Sequence, residues 1–245
     1  MYFNVKGHNE FLQQAKHWIK EAMQRRYVVT SFLSIPQQNI LLSLIPKDLI
    51  VKWDGGYEQA ERKRAILSLY EEEDTNNVCA LVSKYDHRFQ SIEHKDLLGA
   101  LMALGIEREV VGDLLIEDDR IIVFTTYEMA SFIQSELTCA KRTSLSFQPK
   151  EVKIQTQIRR KEMTIIAPSL RLDSIVSQLA HCSRSKAKEM LKAQYVKVND
   201  IVLDENTQLC DNDFVSIRKV GRFQYKGIDA KTKKDRLVLR FEQYI

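Results

Sequence analysis

One short stretch gathers side chains that suit a phosphate: Ser183-Arg184-Ser185-Lys186-Ala187-Lys188. Ser183 sits where an N-cap belongs, ahead of a predicted helix over 184–193. Arg184 and Lys188 then share one helix face, and Lys192 extends that row by a turn. Ala187, Met190 and Leu191 form the apolar face opposite. The helix start adds unsatisfied backbone N–H groups and the hydroxyls of Ser183 and Ser185, all suited to a phosphate oxygen. Arg171 opens the preceding predicted helix, 170–180, and joins the same surface. Lys197 and Asn199 flank the next turn. Arg218, Lys219 and Arg222 surround Gly221, where backbone can approach a ligand closely. A solvated basic face has the same composition. The coincidence of these residues in one small unit points to an RNA-backbone site.

Charge distribution agrees. The chain of 245 residues has a net charge of +4. Residues 168–245 hold 15 Lys and Arg against 10 Asp and Glu, a net +5, and residues 1–167 hold 22 against 23, a net −1. A further basic cluster, Arg159-Arg160-Lys161, stands just before the last third. A polyanion partner for the C-terminal part follows.

Composition excludes several classes. With 44% hydrophobic and 29% charged residues, the chain is neither disordered nor collagen-like. No apolar run approaches the ~20 residues of a spanning helix, and Met1 to Glu10 lacks the regions of a signal peptide. A cytoplasmic protein with no membrane partner is expected. Cys79, Cys139, Cys182 and Cys210 are scattered, without C-x-x-C spacing, so neither a zinc site nor a disulfide framework is indicated. None of the five histidines pairs with a Cys or carboxylate at ligand spacing. His94 and Asp96 point apart on a helix, and a capping or polar role suits them better than metal binding. Gly55-Gly56 is not followed by Gly-Lys-Ser/Thr, so no phosphate-binding loop exists. No metal, cofactor or small-molecule substrate is expected.

The elements that must position these residues read as α+β in three parts. In the first, residues 1–76, apolar spacing predicts a helix over 8–26, an extended stretch at 27–33, a helix over 37–45, a strand at 49–53 and a helix over 60–69. Arg62, Lys63 and Arg64 on that last helix serve either as a secondary RNA contact or as a solvated face. The second part, 77–166, reads β-α-β-β-α-β: strands at 78–85, 113–117, 121–125 and 143–147, helices at 94–106 and 127–137. That is the ferredoxin-like order shared by RNA recognition motifs. Its third strand, Arg120-Ile121-Ile122-Val123-Phe124, lacks their aromatic signature. The third part, 168–245, has two short helices and strands at 195–198, 214–218 and 237–241.

Arg171-Leu172-Asp173, Ser183-Arg184-Ser185-Lys186-Ala187, Val196-Lys197-Val198-Asn199, Asp213 and Ser216-Ile217-Arg218 resemble the motif order of the S4 RNA-binding domain across 168–245. The resemblance implies two helices packed on a small sheet, with the helices and the following turn as the RNA face. Upstream, Gly55-Gly56-Tyr57, Ala60-Glu61-Arg62-Lys63-Arg64, the run from His94 to Glu109, Gly112-Asp113 and the closing Gly221-Arg222-Phe223 are similar to the YlmH family. One departure is visible: the family carries a Pro-Arg-Glu run where this chain has Ile35-Pro36-Gln37-Gln38. The family implies an RNA-binding factor of ribosome-associated quality control, with rRNA or tRNA and the large subunit as partners; a non-enzymatic monomer is expected.

Arg171-Leu172-Asp173 also resembles the catalytic run of pseudouridine synthases, where the Asp is the nucleophile and Thr-Ser-Gly follows. Here Ser174-Ile175-Val176 follows, and Asp173 reads as a favourable charge in a first helical turn. An RNA-modifying enzyme that uses its S4 domain for substrate delivery, and a cell-division adaptor, are the alternative readings. On this reading Arg184→Glu abolishes RNA binding with the fold intact.

Overall fold

The computed structural model describes residues 7–25, 27–71, 77–86, 91–154, 160–203 and 207–244. Two compact units divide the chain: Ala15–Thr156, and Met1–Gln14 together with Gln157–Ile245. The division falls inside α1 (Asn9–Gln24), which buries Phe11, Ala15 and Ala22 at helical spacing.

In Ala15–Thr156, β1 (Tyr27–Val29) precedes α2 (Ile35–Leu44), β2 (Ile50–Asp54) and β3 (Arg64–Ser68). At the family's point of departure, the Ser34 N–H donates to Gln37 Oε1 at 2.8 Å in the first turn of α2. Gln38 Nε2 donates to the carbonyls of Leu33 and Glu61 at 2.9 and 2.7 Å. The sheet order is β1-β3-β2, antiparallel throughout. The helix expected over 60–69 is therefore a correction. Ala65, Ile66 and Leu67 are buried on the central strand, paired on both sides. A strand buried on both faces is a continuous apolar run, and periodicity cannot distinguish such a run from buried helix.

The second sheet follows: β4 (Cys79–Lys84), α3 (His94–Ala103), β5 (Val111–Ile116), β6 (Arg120–Thr125), α4 (Tyr127–Glu136), the small hairpin β7 (Cys139–Ala140) and β8 (Thr143–Ser144), then β9 (Gln148–Pro149). Strand order β5-β6-β4-β9, all antiparallel, is the ferredoxin-like arrangement that the element order implies. Its last strand is a correction. Thr143 and Ser144 pair with β7, and the sheet edge is taken by Gln148 and Pro149. Proline suits an edge, since it cannot donate to a further strand. Leu81, Leu114 and Val123 face the core with Leu97 and Leu101 of α3 and Ile133 of α4.

The other unit holds β10 (Arg160–Ala167), α5 (Leu172–Leu179), α6 (Arg184–Lys192), β11 (Val196–Val198), β12 (Phe214–Ile217), β13 (Gly221–Lys231) and β14 (Leu237–Tyr244). Both helices pack their apolar faces, including Ile175, Val176, Ala187 and Leu191, with Val215, Phe223, Tyr225 and Phe241 of the sheet β10-β14-β13-β12-β11. The sequence reading places no strand at 221–231. Two register shifts in β13, after Tyr225 and after Ile228, break the alternation that marks a strand.

Candidate nucleic-acid interface

The structure does not treat the candidate cations as one set. On α6, Ser183 Oγ accepts from the Lys186 N–H at 3.2 Å, so the expected N-cap is made. Ala187 and Leu191 are buried, whereas Arg184, Ser185, Lys186 and Lys192 are exposed and Lys188 is half-buried. Lys186 pairs with Glu189 at 2.8 Å in the open, a bond of little energetic weight.

Arg184 and Arg171 converge on Asp173. Arg171 Nε and Nη2 each lie 3.2 Å from a different oxygen of that carboxylate, and Arg184 Nε and Nη2 lie at 3.0 and 3.2 Å, again one to each oxygen. Asp173 has 0% of its surface exposed, whereas the arginine side chains are 35% and 50% exposed. Burial raises the Asp173 pKa, but the bonds from Arg171 and Arg184 outweigh it and hold the carboxyl below its ordinary value. One buried anion thus orients two guanidinium planes and leaves a net positive charge beside the start of α6. Asp173 stands in the first turn of α5, as expected, and is in addition the anchor of both arginines. Both carboxylate oxygens are engaged and covered, which is unlike a nucleophile awaiting substrate.

Asn199 lies inside the fold rather than on the surface. It is buried at positive φ; its Nδ2 donates to Asp213 Oδ1 at 2.8 Å and its Oδ1 accepts from the Phe214 N–H at 2.9 Å. Asp213 Oδ2 in turn accepts from the Cys210 N–H. Asn199 and Asp213 therefore fasten the turn that carries exposed Lys197. Arg218 and Lys219 are exposed at the β12–β13 turn, with Arg218 over the Tyr195 ring at 5.1 Å. Arg222 and Arg160 lie on the sheet, stacked against rings. Lys161 is exposed on β10, and Arg159 lies outside the described residues.

Of the secondary cluster at 62–64, Arg62 and Arg64 turn inward. Arg62 donates to the carbonyls of Val111, Phe32 and Arg108 at 2.9–3.1 Å. Arg64 donates to those of Thr30 and Asn77 at 2.8 and 2.9 Å, and Lys63 to that of Glu58 at 3.2 Å. Neither a solvated face nor an RNA contact describes these arginines; they tie together backbone carbonyls from separate segments.

The family's upstream motifs meet at the same place. Asp113 accepts from Tyr57 Oη at 2.8 Å and from the N–H groups of Glu61 and Arg62 at 2.7 and 3.0 Å. Burial, then the nearby Asp113 charge, pushes the Tyr57 pKa upward, so its hydroxyl stays a donor. Arg108 donates to the carbonyls of Val111 and Gly112, and its pKa is lowered to about 10 by burial and by Arg62. Tyr57 packs on Phe124, ring centroids 4.9 Å apart. A Cβ on Gly56 would meet Phe124 Cδ1 at 2.4 Å, and one on Gly112 would meet Phe32 at 2.7 Å. Phe32, Val82, Ile122 and Phe124 form a buried cluster on the face of the second sheet away from α3 and α4. An RNA recognition motif stacks bases on that face. Here it is closed by Phe32 and Tyr57.

Asp96 caps α3 by accepting from the Glu93 N–H at 2.8 Å and pairs with Lys141 at 2.7 Å. Among the described residues, no three His, Cys, Asp or Glu side chains gather as a metal site needs, and no helix is long and apolar enough to cross a membrane.

Sequence reasoning missed Tyr244 and Phe214, the rings that hold Arg160 and Arg222. The alternation Phe241-Glu242-Gln243-Tyr244 was the available signal, with Phe241 inward and Glu242 and Tyr244 on the other face.

The chain is similar to known proteins along most of its length. The family profile described as "Putative RNA-binding domain in YlmH" matches residues 71–154, and the S4 domain profile matches residues 170–215. "Ribosome-associated protein quality control protein P2" of Bacillus subtilis (strain 168) is 32% identical over 252 residues, covering 97% of this chain and 96% of that protein. The solved structure "Cell division protein ylmH from Streptococcus pneumoniae" shares the fold with a TM-score of 0.53 at 22% identity, over 61% of this chain and 94% of that chain.

Proposed function

Because the chain belongs to the YlmH family and carries an S4 domain, we propose that it binds rRNA or tRNA on the ribosome through the α5–α6 face of that domain. The observation that carries this reading is the Arg171–Asp173–Arg184 arrangement at the mouth of α6. Two guanidinium forks held in fixed planes, beside backbone N–H groups and the cations Lys188 and Lys192, form a receptor for phosphate. Phosphate contacts position the RNA, and its shape supplies selectivity. The Bacillus relative's name places that protein in ribosome-associated quality control. On the proposed reading this chain acts in the same process, on stalled large subunits in the cytoplasm and as a monomer. It acts as a binding factor rather than an enzyme, in keeping with the covered carboxylate of Asp173.

Binding to purified large subunits across a salt series tests this. About five phosphate contacts give a log–log slope of about −4. Lys188→Glu with Lys192→Glu should weaken binding at least tenfold with an unchanged melt. Lys231→Glu, which breaks an exposed pair with Asp235, should leave binding near wild type. A flat salt series, or full binding by the double variant, would overturn the reading.

A further inference from the structure

Strand register brings together a second set of cations. Residues directly opposite across a sheet point to the same face. Arg160 of β10 is opposite Tyr244 of β14, Tyr244 is opposite Arg222 of β13, Arg222 is opposite Ser216 of β12, and Ser216 is opposite Lys197 of β11. A single row therefore crosses all five strands, reading Arg-Tyr-Arg-Ser-Lys. The alternating residues Phe223, Val215 and Val198 belong to the core with α5 and α6, so this row lies on the face turned away from both helices. With about 4.8 Å between strands, its three cations stand about 10 Å apart.

Aromatic rings hold the arginines here. The Arg160 guanidinium lies 5.0 Å from the Tyr244 ring centroid. Arg222 lies 5.5 Å from the same ring and 4.7 Å from Phe214, and the two rings are 5.7 Å apart. A ring orients a guanidinium without cancelling its charge, whereas the Asp173 carboxylate offsets part of the charge of Arg171 and Arg184. Glu242, one row along the same face, takes a share: it lies 3.6 Å from Arg160 and 3.5 Å from Lys226. Glu162 is opposite it. Arg160, Arg222, Lys197 and Lys226 still outnumber these two acids, and Arg160 and Lys197 are exposed.

We infer that the outer face of the S4 sheet is a second RNA-binding surface, which takes a single-stranded segment. Phosphates run along Arg160, Arg222 and Lys197, and a base stacks on the arginine–tyrosine strip. Alternating guanidinium and aromatic planes fit the π-faces of unpaired bases. An acidic peptide would use the cations alone, and the row offers no aliphatic anchor for lipid. This inference rests on the proposed function only in taking RNA as the ligand class.

The test uses the full chain, a mixed-sequence single-stranded RNA dodecamer and a structured RNA hairpin. Arg160→Gln with Lys197→Gln removes two cations of the row, and a melt checks the fold. The expected result is about tenfold weaker dodecamer binding, with a salt slope shallower by about 1.4. Ultraviolet crosslinking should place the dodecamer on the Tyr244 peptide, and should still do so in the Lys188→Glu, Lys192→Glu variant. Wild-type dodecamer affinity in the sheet variant, or a Tyr244 crosslink lost with the helix variant, overturns the second surface and leaves the helix face standing. Hairpin binding unchanged in the helix variant instead overturns the proposed function alone. Competition by polyglutamate as effective as by RNA overturns the assignment of the sheet face to RNA.

Discussion

Asp173 changes what Arg184 is. A carboxylate with no exposed surface depends on its two arginines, and removing a partner from a buried pair is costly. Arg184→Glu would set a second anion against it. We expect that variant to lose roughly 3 kcal/mol of stability, the lower end of the range for a broken buried pair because Arg171 remains. Urea unfolding measures it, and a wild-type midpoint would contradict the pairing. The expectation that Arg184→Glu leaves the fold intact is thereby replaced, and Lys188 and Lys192 become the cleaner probes of binding. Asp173 also makes a pH prediction. Its native pKa is depressed, so its contribution is complete above the ordinary Asp value near 3.9 and drains as pH falls below that value. Asp173→Asn should lower stability at pH 7 and lose less than wild type between pH 5 and pH 3, as unfolding curves at each pH will report.

At the scale of elements, three glycines separate space from backbone conformation. Gly56 has φ +83° and its missing Cβ lies against Phe124. Gly56→Ala meets both obstacles, and about 2–3 kcal/mol should be lost. Gly105 follows α3 with φ +76° and open space around it, so Gly105→Ala should cost only about 1 kcal/mol. Gly99 lies inside α3, exposed, with nothing near its missing Cβ. Gly99→Ala should raise stability by about 0.5–1 kcal/mol through helix propensity. Thermal melts of the three variants check the order, and equal losses at Gly56 and Gly105 would remove packing on Phe124 from the account.

On the scale of the whole molecule, the two units have separate cores. Gly56→Ala and Asp173→Asn fall in different units. Hydrogen exchange read peptide by peptide should therefore show lost protection within 15–156 for the first and within 157–245 for the second. Protection lost across both units in either variant would mean a single cooperative fold. The joint of Tyr57, Asp113, Arg62 and Phe124 makes 15–156 one such unit, by closing a sheet face that an RNA recognition motif leaves open.

Local signals in the chain determine a good deal by themselves. Apolar spacing at 3.6 and 2 residues marks α1, α3, α4 and α6 and the βαββαβ order, because those patterns depend on which face of one element is buried. The Ser183 cap and the Arg184–Lys188–Lys192 row are legible for the same reason, as is the S4 motif order. The rest depends on which strands become neighbours. β3 is a strand because β1 and β2 flank it, and Arg62 and Arg64 point inward because carbonyls from residues as far apart as Phe32 and Val111 converge around them. The Arg171–Asp173–Arg184 pairing joins two helices, and the row from Arg160 to Lys197 joins five strands drawn from more than eighty residues of chain. Such contacts are set by register between distant segments, and no window of sequence contains register.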